Sequence, residues 1–157
     1  MVTLVATIVA MGSGAIIDAL TRRIPNLLTL ATAALGVTLA AVGVSHVTVA
    51  QSLAGLLLGM LLMLPGYVLG ATGAGDVKLL GAAGAVLGVA LVPFAFLYTA
   101  IAGGAFALVV AVRRRRFAAT VRGLRLVPVP VPGRAGDRFF PYGPAIAVGC
   151  VLAALGV

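Results

Sequence analysis

"VTLVATIVAMGSGAII", residues 2–17, runs sixteen residues without an ionisable side chain and ends at Asp18. At a rise of about 1.5 Å per residue, a helix of that length crosses most of a ~30 Å hydrocarbon layer. Similar runs recur at 27–44, 53–70, 77–92, 94–112 and 140–157. Of the 157 residues, 62% are hydrophobic and 9% charged, which leaves too little polar surface for a soluble domain of this size. We therefore expect an all-α polytopic membrane protein with six transmembrane helices. It forms one membrane-embedded domain over 1–157, with a basic cytoplasmic loop at about 113–138.

The runs are separated by usable breaks. Ile24, Pro25 and Asn26 mark a helix start, since proline is tolerated in a first turn but not in a helix interior. A polar patch around Ser45, His46 and Gln51 follows the second run, a glycine-rich loop precedes Val77, and Pro93 opens the fifth span. With the N-terminus outside, Arg22, Arg23, Lys78, Arg113 to Arg116, Arg122, Arg125, Arg134 and Arg138 share one side. These are all 11 basic residues, so six spans and the preference of positive charge for the cytoplasm support each other.

That distribution also accounts for the net charge of +8 without a nucleic-acid partner, because the basic loop carries a single aromatic residue, Phe117, and no aromatic interleaving. Arg113 to Arg116 read as a topology anchor, with anionic lipid headgroups as the alternative ligand. "VPVPVPG", residues 127–133, reads as an extended linker. No basic segment precedes the first run, so it is expected to be a true span and not a cleaved signal. Cys150 is the only cysteine and falls inside the sixth run, which excludes an intramolecular disulfide and reads as an apolar filler. Gly55 with Gly59, and Gly84 with Gly88, have the spacing that lets membrane helices approach closely. Packing within one bundle is the favoured reading, a dimer interface is the alternative, and the oligomeric state stays open.

Only three residues are acidic: Asp18, Asp76 and Asp137. Asp18 closes the first span and Asp76 opens the fourth, so both are expected at the cytoplasmic edge of the bilayer, on different helices. Ionisable groups at that depth are costly and functional unless paired. Taken singly, Asp18 could pair with Arg22 one turn later, Asp76 could cap its helix, and Asp137 reads as a solvated loop residue. Taken together, Asp18 and Asp76 fit a carboxylate pair that shares one proton. The charged member takes a proton from water as it attacks a peptide carbonyl, and the protonated member donates to the carbonyl oxygen. Gly73 and Gly75, within "ATGAGDVKLLGA" at 71–82, remove side chains where a substrate backbone must approach.

"DALTRRIPNLLT" at 18–29, "GAGDVKLLGA" at 73–82 and "PYGPA" at 141–145 resemble motifs of the type IV prepilin peptidases, which belong with the GxGD aspartyl proteases. The resemblance implies an endopeptidase that cleaves the leader of prepilin-like substrates just after a glycine, at the cytoplasmic face of the cell membrane. Asp18 and Asp76 would be the catalytic pair, with Gly73, Gly75, Pro141 and Gly143 beside the substrate and no cofactor or metal. Longer family members carry a zinc-binding cytoplasmic domain between the first two spans and also methylate the new N-terminus. Here only Thr21 to Asn26 separate those spans, so methyltransferase activity is expected to be absent. The short form resembles peptidases serving tight-adherence (Flp-type) pili, and archaeal preflagellin peptidases are also compact. The rival readings are a proton-coupled transporter using Asp18 and Asp76 as relays, which would more often place acids near the bilayer midplane, and an assembly subunit with structural acids.

His46 lies alone on the expected outer face and no His-Glu-x-x-His pattern occurs. We expect leader cleavage, followed as the shortened product in isolated membranes, to survive metal chelators and the substitution His46→Ala. Activity lost on chelation and restored by a divalent metal would count against an acid–base pair acting alone.

Overall fold

A helix made largely of glycine and alanine can be surrounded on every side, because neighbouring backbones come within reach of its own. "GAAGAV", residues 81–86, is such a stretch. The computed structural model describes residues 2–21, 24–113 and 143–156. Among them are six helices and no strand: α1 (Val2–Thr21), α2 (Asn26–Ala41), α3 (Val49–Val68), α4 (Ala74–Leu87), α5 (Val92–Arg113) and α6 (Gly143–Leu155). The central helix is α4, which touches each of the other five and is buried at every position from Leu79 to Leu87.

The approach to α4 is set by glycines on its neighbours. A Cβ at Gly36 of α2 would lie 2.6 Å from the carbonyl carbon of Ala85, and one at Gly59 of α3 would lie 2.6 Å from the Leu80 oxygen. Gly55 and Gly84 meet across the α3–α4 contact, each against the other's carbonyl oxygen. Ser52 fastens the same contact, its Oγ donating to the Ala85 oxygen at 2.7 Å. The small-residue spacing therefore serves packing within one bundle. Met11, Leu79, Leu80, Ile146 and Cys150 fill the space between α1, α4 and α6, and the cysteine is the buried apolar filler expected of it.

The helix ends differ from the expected runs for identifiable reasons. Thr48 caps α3 in a reciprocal box with Gln51: the Gln51 amide donates to Thr48 Oγ1 at 3.2 Å, and the Thr48 amide to Gln51 Oε1 at 3.0 Å. Gln51 therefore belongs inside the helix and not to the polar break before it. The fourth helix starts at Ala74, which makes Gly75 and Asp76 part of its first turn, and it stops at Leu87 because Gly88 turns left-handed at φ 76°. Beyond that turn the Val89 amide donates to the Gln51 carbonyl at 3.2 Å. Pro93 stands in the first turn of α5, where its missing N–H costs nothing.

Three buried threonine hydroxyls bond back into their own helices, unlike Ser52, which reaches across to α4. Thr7 donates to Thr3 O, Thr32 to Leu28 O and Thr99 to Ala95 O at 2.7–2.9 Å. The outward faces are apolar, with Val9, Ile16, Leu20, Leu57, Leu61, Leu97 and Ile101 all exposed. Among the described residues, Val49–Val68 alone is long and apolar enough to cross a membrane. The stretches Val2–Asp18, Asn26–Ala41, Val92–Phe106 and Gly143–Leu155 are apolar but shorter, and α4 with 14 residues rises only about 21 Å. Arg22, Arg23, the basic loop from Arg114 to Arg138, Asp137 and Pro141 lie outside the described residues.

The glycine contacts give a direct stability test. We expect Gly55→Val to cost more than the ~1–3 kcal/mol usual for overpacking, because it meets backbone that cannot rotate away. The unfolding midpoint of the purified protein reads this. Gly104→Ala, whose Cβ meets nothing within 4 Å, leaves that midpoint unchanged or slightly higher.

Candidate active site

Three helix ends converge at one end of the bundle: the last turn of α1, the first turn of α4 and the first residue of α6. Each acid of the described chain belongs to this end. Asp18, in the last turn of α1, is 6% exposed and accepts a hydrogen bond at Oδ2 from the Gly143 amide at 2.9 Å. Asp76, the third residue of α4, is also 6% exposed and accepts at Oδ2 from the Gly73 amide, again at 2.9 Å. The second bond is the side-chain half of a capping box; a glycine N-cap has no side chain to supply the other half. Asp76 thus does cap its own helix, as the structural reading of it anticipated. That duty occupies Oδ2; no hydrogen bond to the other oxygen is seen among the described residues.

The two carboxyl groups are thus buried at the same end of the bundle, on α1 and α4, which pack against each other. Their helix-end settings are opposite. A negative charge in the first turn of α4 is favoured by the helix dipole, whereas one in the last turn of α1 is disfavoured. The N-terminus of α6, meeting Asp18 through Gly143, offsets that disadvantage. The Asp18–Arg22 pairing considered from sequence falls outside the described residues.

The glycines singled out from sequence divide by what they face. A Cβ on Gly73 would stand 3.4 Å from Asp76 Oδ2, so this glycine borders the carboxylate directly. On Gly75 it would stand 3.2 Å from the Ile24 Cβ, and on Gly143 only 2.6 Å from Asp18 Oδ2. Gly75 therefore lets the turn between α1 and α2 lie against the start of α4, and Gly143 lets α6 reach the first acid. His46 is exposed in the turn between α2 and α3, at the opposite end of the bundle. An open apolar groove of about 590 Å³ between α1 and α2 has neither carboxylate in its lining.

Two contacts at the site have no counterpart in the sequence reading. Ile24 wedges against Gly75, and the Lys78 ammonium donates to Asn26 Oδ1 at 3.0 Å, tying the start of α2 to the start of α4. Lys78 therefore reaches across to a neutral side chain and not to either acid. Both contacts join residues of the two motifs: Ile24 and Asn26 stand on either side of Pro25 in the first, and Gly75 and Lys78 lie within two residues of Asp76 in the second.

Comparison with known proteins bears on the same residues. A family model described as the type IV leader peptidase family matches residues 5–108, a range that holds Asp18 and Asp76 and ends before Gly143. No curated protein and no solved structure matches the chain. Because the matched range spans more than half of the sequence, the chain belongs to the type IV leader peptidase family and is a peptidase of the aspartic type.

Proposed function

We propose that the protein is a membrane endopeptidase that removes the leader of type IV prepilin-like substrates after a glycine, at the cytoplasmic face of the cell membrane. Asp18 and Asp76 form its catalytic pair. The observation that carries this reading is the burial of both acids at one end of the bundle, on helices that pack against each other, in a member of a leader peptidase family. Two carboxyl groups so placed share a proton more readily than they ionise together.

The chemistry follows from that sharing. The ionised carboxylate accepts a proton from water as its oxygen bonds to the scissile carbonyl carbon, and the protonated partner hands its proton to the carbonyl oxygen. Collapse of the tetrahedral intermediate breaks the C–N bond: the departing amine takes the proton that the first carboxylate had gained, and a hydroxyl of the intermediate returns a proton to the second, restoring the pair. In each acid Oδ2 is engaged by a backbone amide, so Oδ1 is the oxygen available for this exchange. Gly73 leaves space for an extended substrate strand beside Asp76, and Gly75 and Pro141 stay beside the substrate in this reading on the strength of their motifs, Pro141 lying outside the described residues.

The membrane setting rests on the outward faces. Apolar side chains cover α1, α3 and α5 on the outside, and soluble proteins rarely expose continuous patches of that kind. Hydroxyls that bond back into their own helices are also what a bilayer interior requires. Six spans with an outside N-terminus place the pair on the cytoplasmic side, among the basic residues and in contact with membrane lipids. With only residues 22–25 between α1 and α2, no zinc-binding domain is inserted there, and the protein acts as a peptidase without N-methyltransferase activity, in the manner of the short forms serving tight-adherence pili.

We expect Asp18→Asn and Asp76→Asn each to lower cleavage of a co-expressed prepilin by at least ~100-fold, the lower range for loss of an acid or base, while membrane insertion is kept. Asp137→Asn should change it little. Full activity of either of the first two variants would remove the reading. The rate against pH should be bell-shaped: it falls at low pH as the working carboxylate takes up a proton, and at high pH as the shared proton leaves. Both limbs belong to the pair and not to one residue.

A further inference from the structure

Resting on that peptidase reading, the geometry points to Gly143 as a positioning residue of the reaction: its backbone amide, delivered by the start of α6, fixes the Asp18 carboxylate and completes the pair. Asp18 receives no such help from its own helix. In the last turn of α1 the backbone amides are already spent on intrahelical bonds, and the carbonyls that remain repel a carboxylate. The first amides of a helix are the reverse case, with no partner inside the helix, and Gly143 is the first residue of α6.

The contact is buried and joins residues 125 positions apart, so it exists only when α6 is docked. Asp76 differs in this respect. Its oxygen is held by Gly73, three residues away, and that bond forms whenever the first turn of α4 forms. One half of the pair is therefore set locally and the other by tertiary assembly.

Space at the contact leaves one residue type. A Cβ at position 143 would come within 2.6 Å of Asp18 Oδ2, 2.7 Å of its Cβ and 2.9 Å of its Cγ. These atoms belong to a short, buried side chain, so relief requires Asp18 itself to move. A displacement of about 1 Å at a reacting group costs on the order of 100-fold in rate. A glycine that touched only substrate would act differently: its replacement would weaken binding and spare turnover.

That difference supplies the test, made on the purified full chain in detergent with a prepilin that the wild-type protein cleaves. Gly143→Ala is expected to lower kcat by about 100-fold with KM within about threefold of wild type. Gly104→Ala, in open space on α5, is expected to match wild type in both. A raised KM with kcat preserved, or wild-type values of both, would overturn the assignment. If Gly143→Ala fails to insert, Pro144→Gly takes its place, because it keeps the amide while loosening the first turn of α6. It should lower kcat about tenfold at unchanged KM, and an unchanged kcat would again overturn the proposal. Asp18→Asn and Asp76→Asn in the same assay separate the two levels: if they cleave, the peptidase reading itself fails. If they are inactive while Gly143→Ala is normal, only the positioning role fails.

Discussion

The arrangement depends on how closely α2 and α3 come to the backbone of α4. Gly36, Gly55 and Gly59 bring those helices against the carbonyls of Ala85, Gly84 and Leu80, with no side chain between. In a bilayer, where lipid is as apolar as leucine, such backbone proximity is what draws helices together. It also surrounds α4 from Leu79 to Leu87, so that a 14-residue segment sits at the centre of the fold. Asp76 inherits its place from this: it opens the one helix that every other element touches.

Charge is then distributed by helix ends. Asp76 lies at the favourable end of its own helix, and Asp18 at the unfavourable end of another, relieved by a third. The pair is chemically alike and physically unlike. In the proposed reaction such asymmetry would suit two carboxyl groups that hold different protonation states at the same moment.

Much of this was legible in the residues themselves. The apolar runs located all six described helices, and the two aspartates declared themselves by standing at run ends in a chain with almost no other acids. Helix boundaries were less visible, because they turn on single interactions. The polar patch around His46 hid the fact that Gln51 completes a cap with Thr48, and the helix after the glycine-rich loop begins at Ala74, three residues before Val77. Contacts across the site were hidden for another reason. No periodicity announces that Ile24 meets Gly75, or that the amide of Gly143 reaches back over 125 residues to Asp18; those follow from docking and not from pattern.

The far end of α4 has its own fastening. Gly88, in its left-handed turn, lies against the Val47 side chain, and Val89 is hydrogen-bonded to Gln51 within the capped start of α3. From Gly88 to Asp76 the helix is a lever about 18 Å long. A tilt of only ~3° about the fastened end would sweep the carboxylate through about 1 Å, the scale on which reacting groups lose their alignment. The seating of Gly88 on Val47 thus bears, through α4, on where Asp76 stands at the opposite end of the bundle.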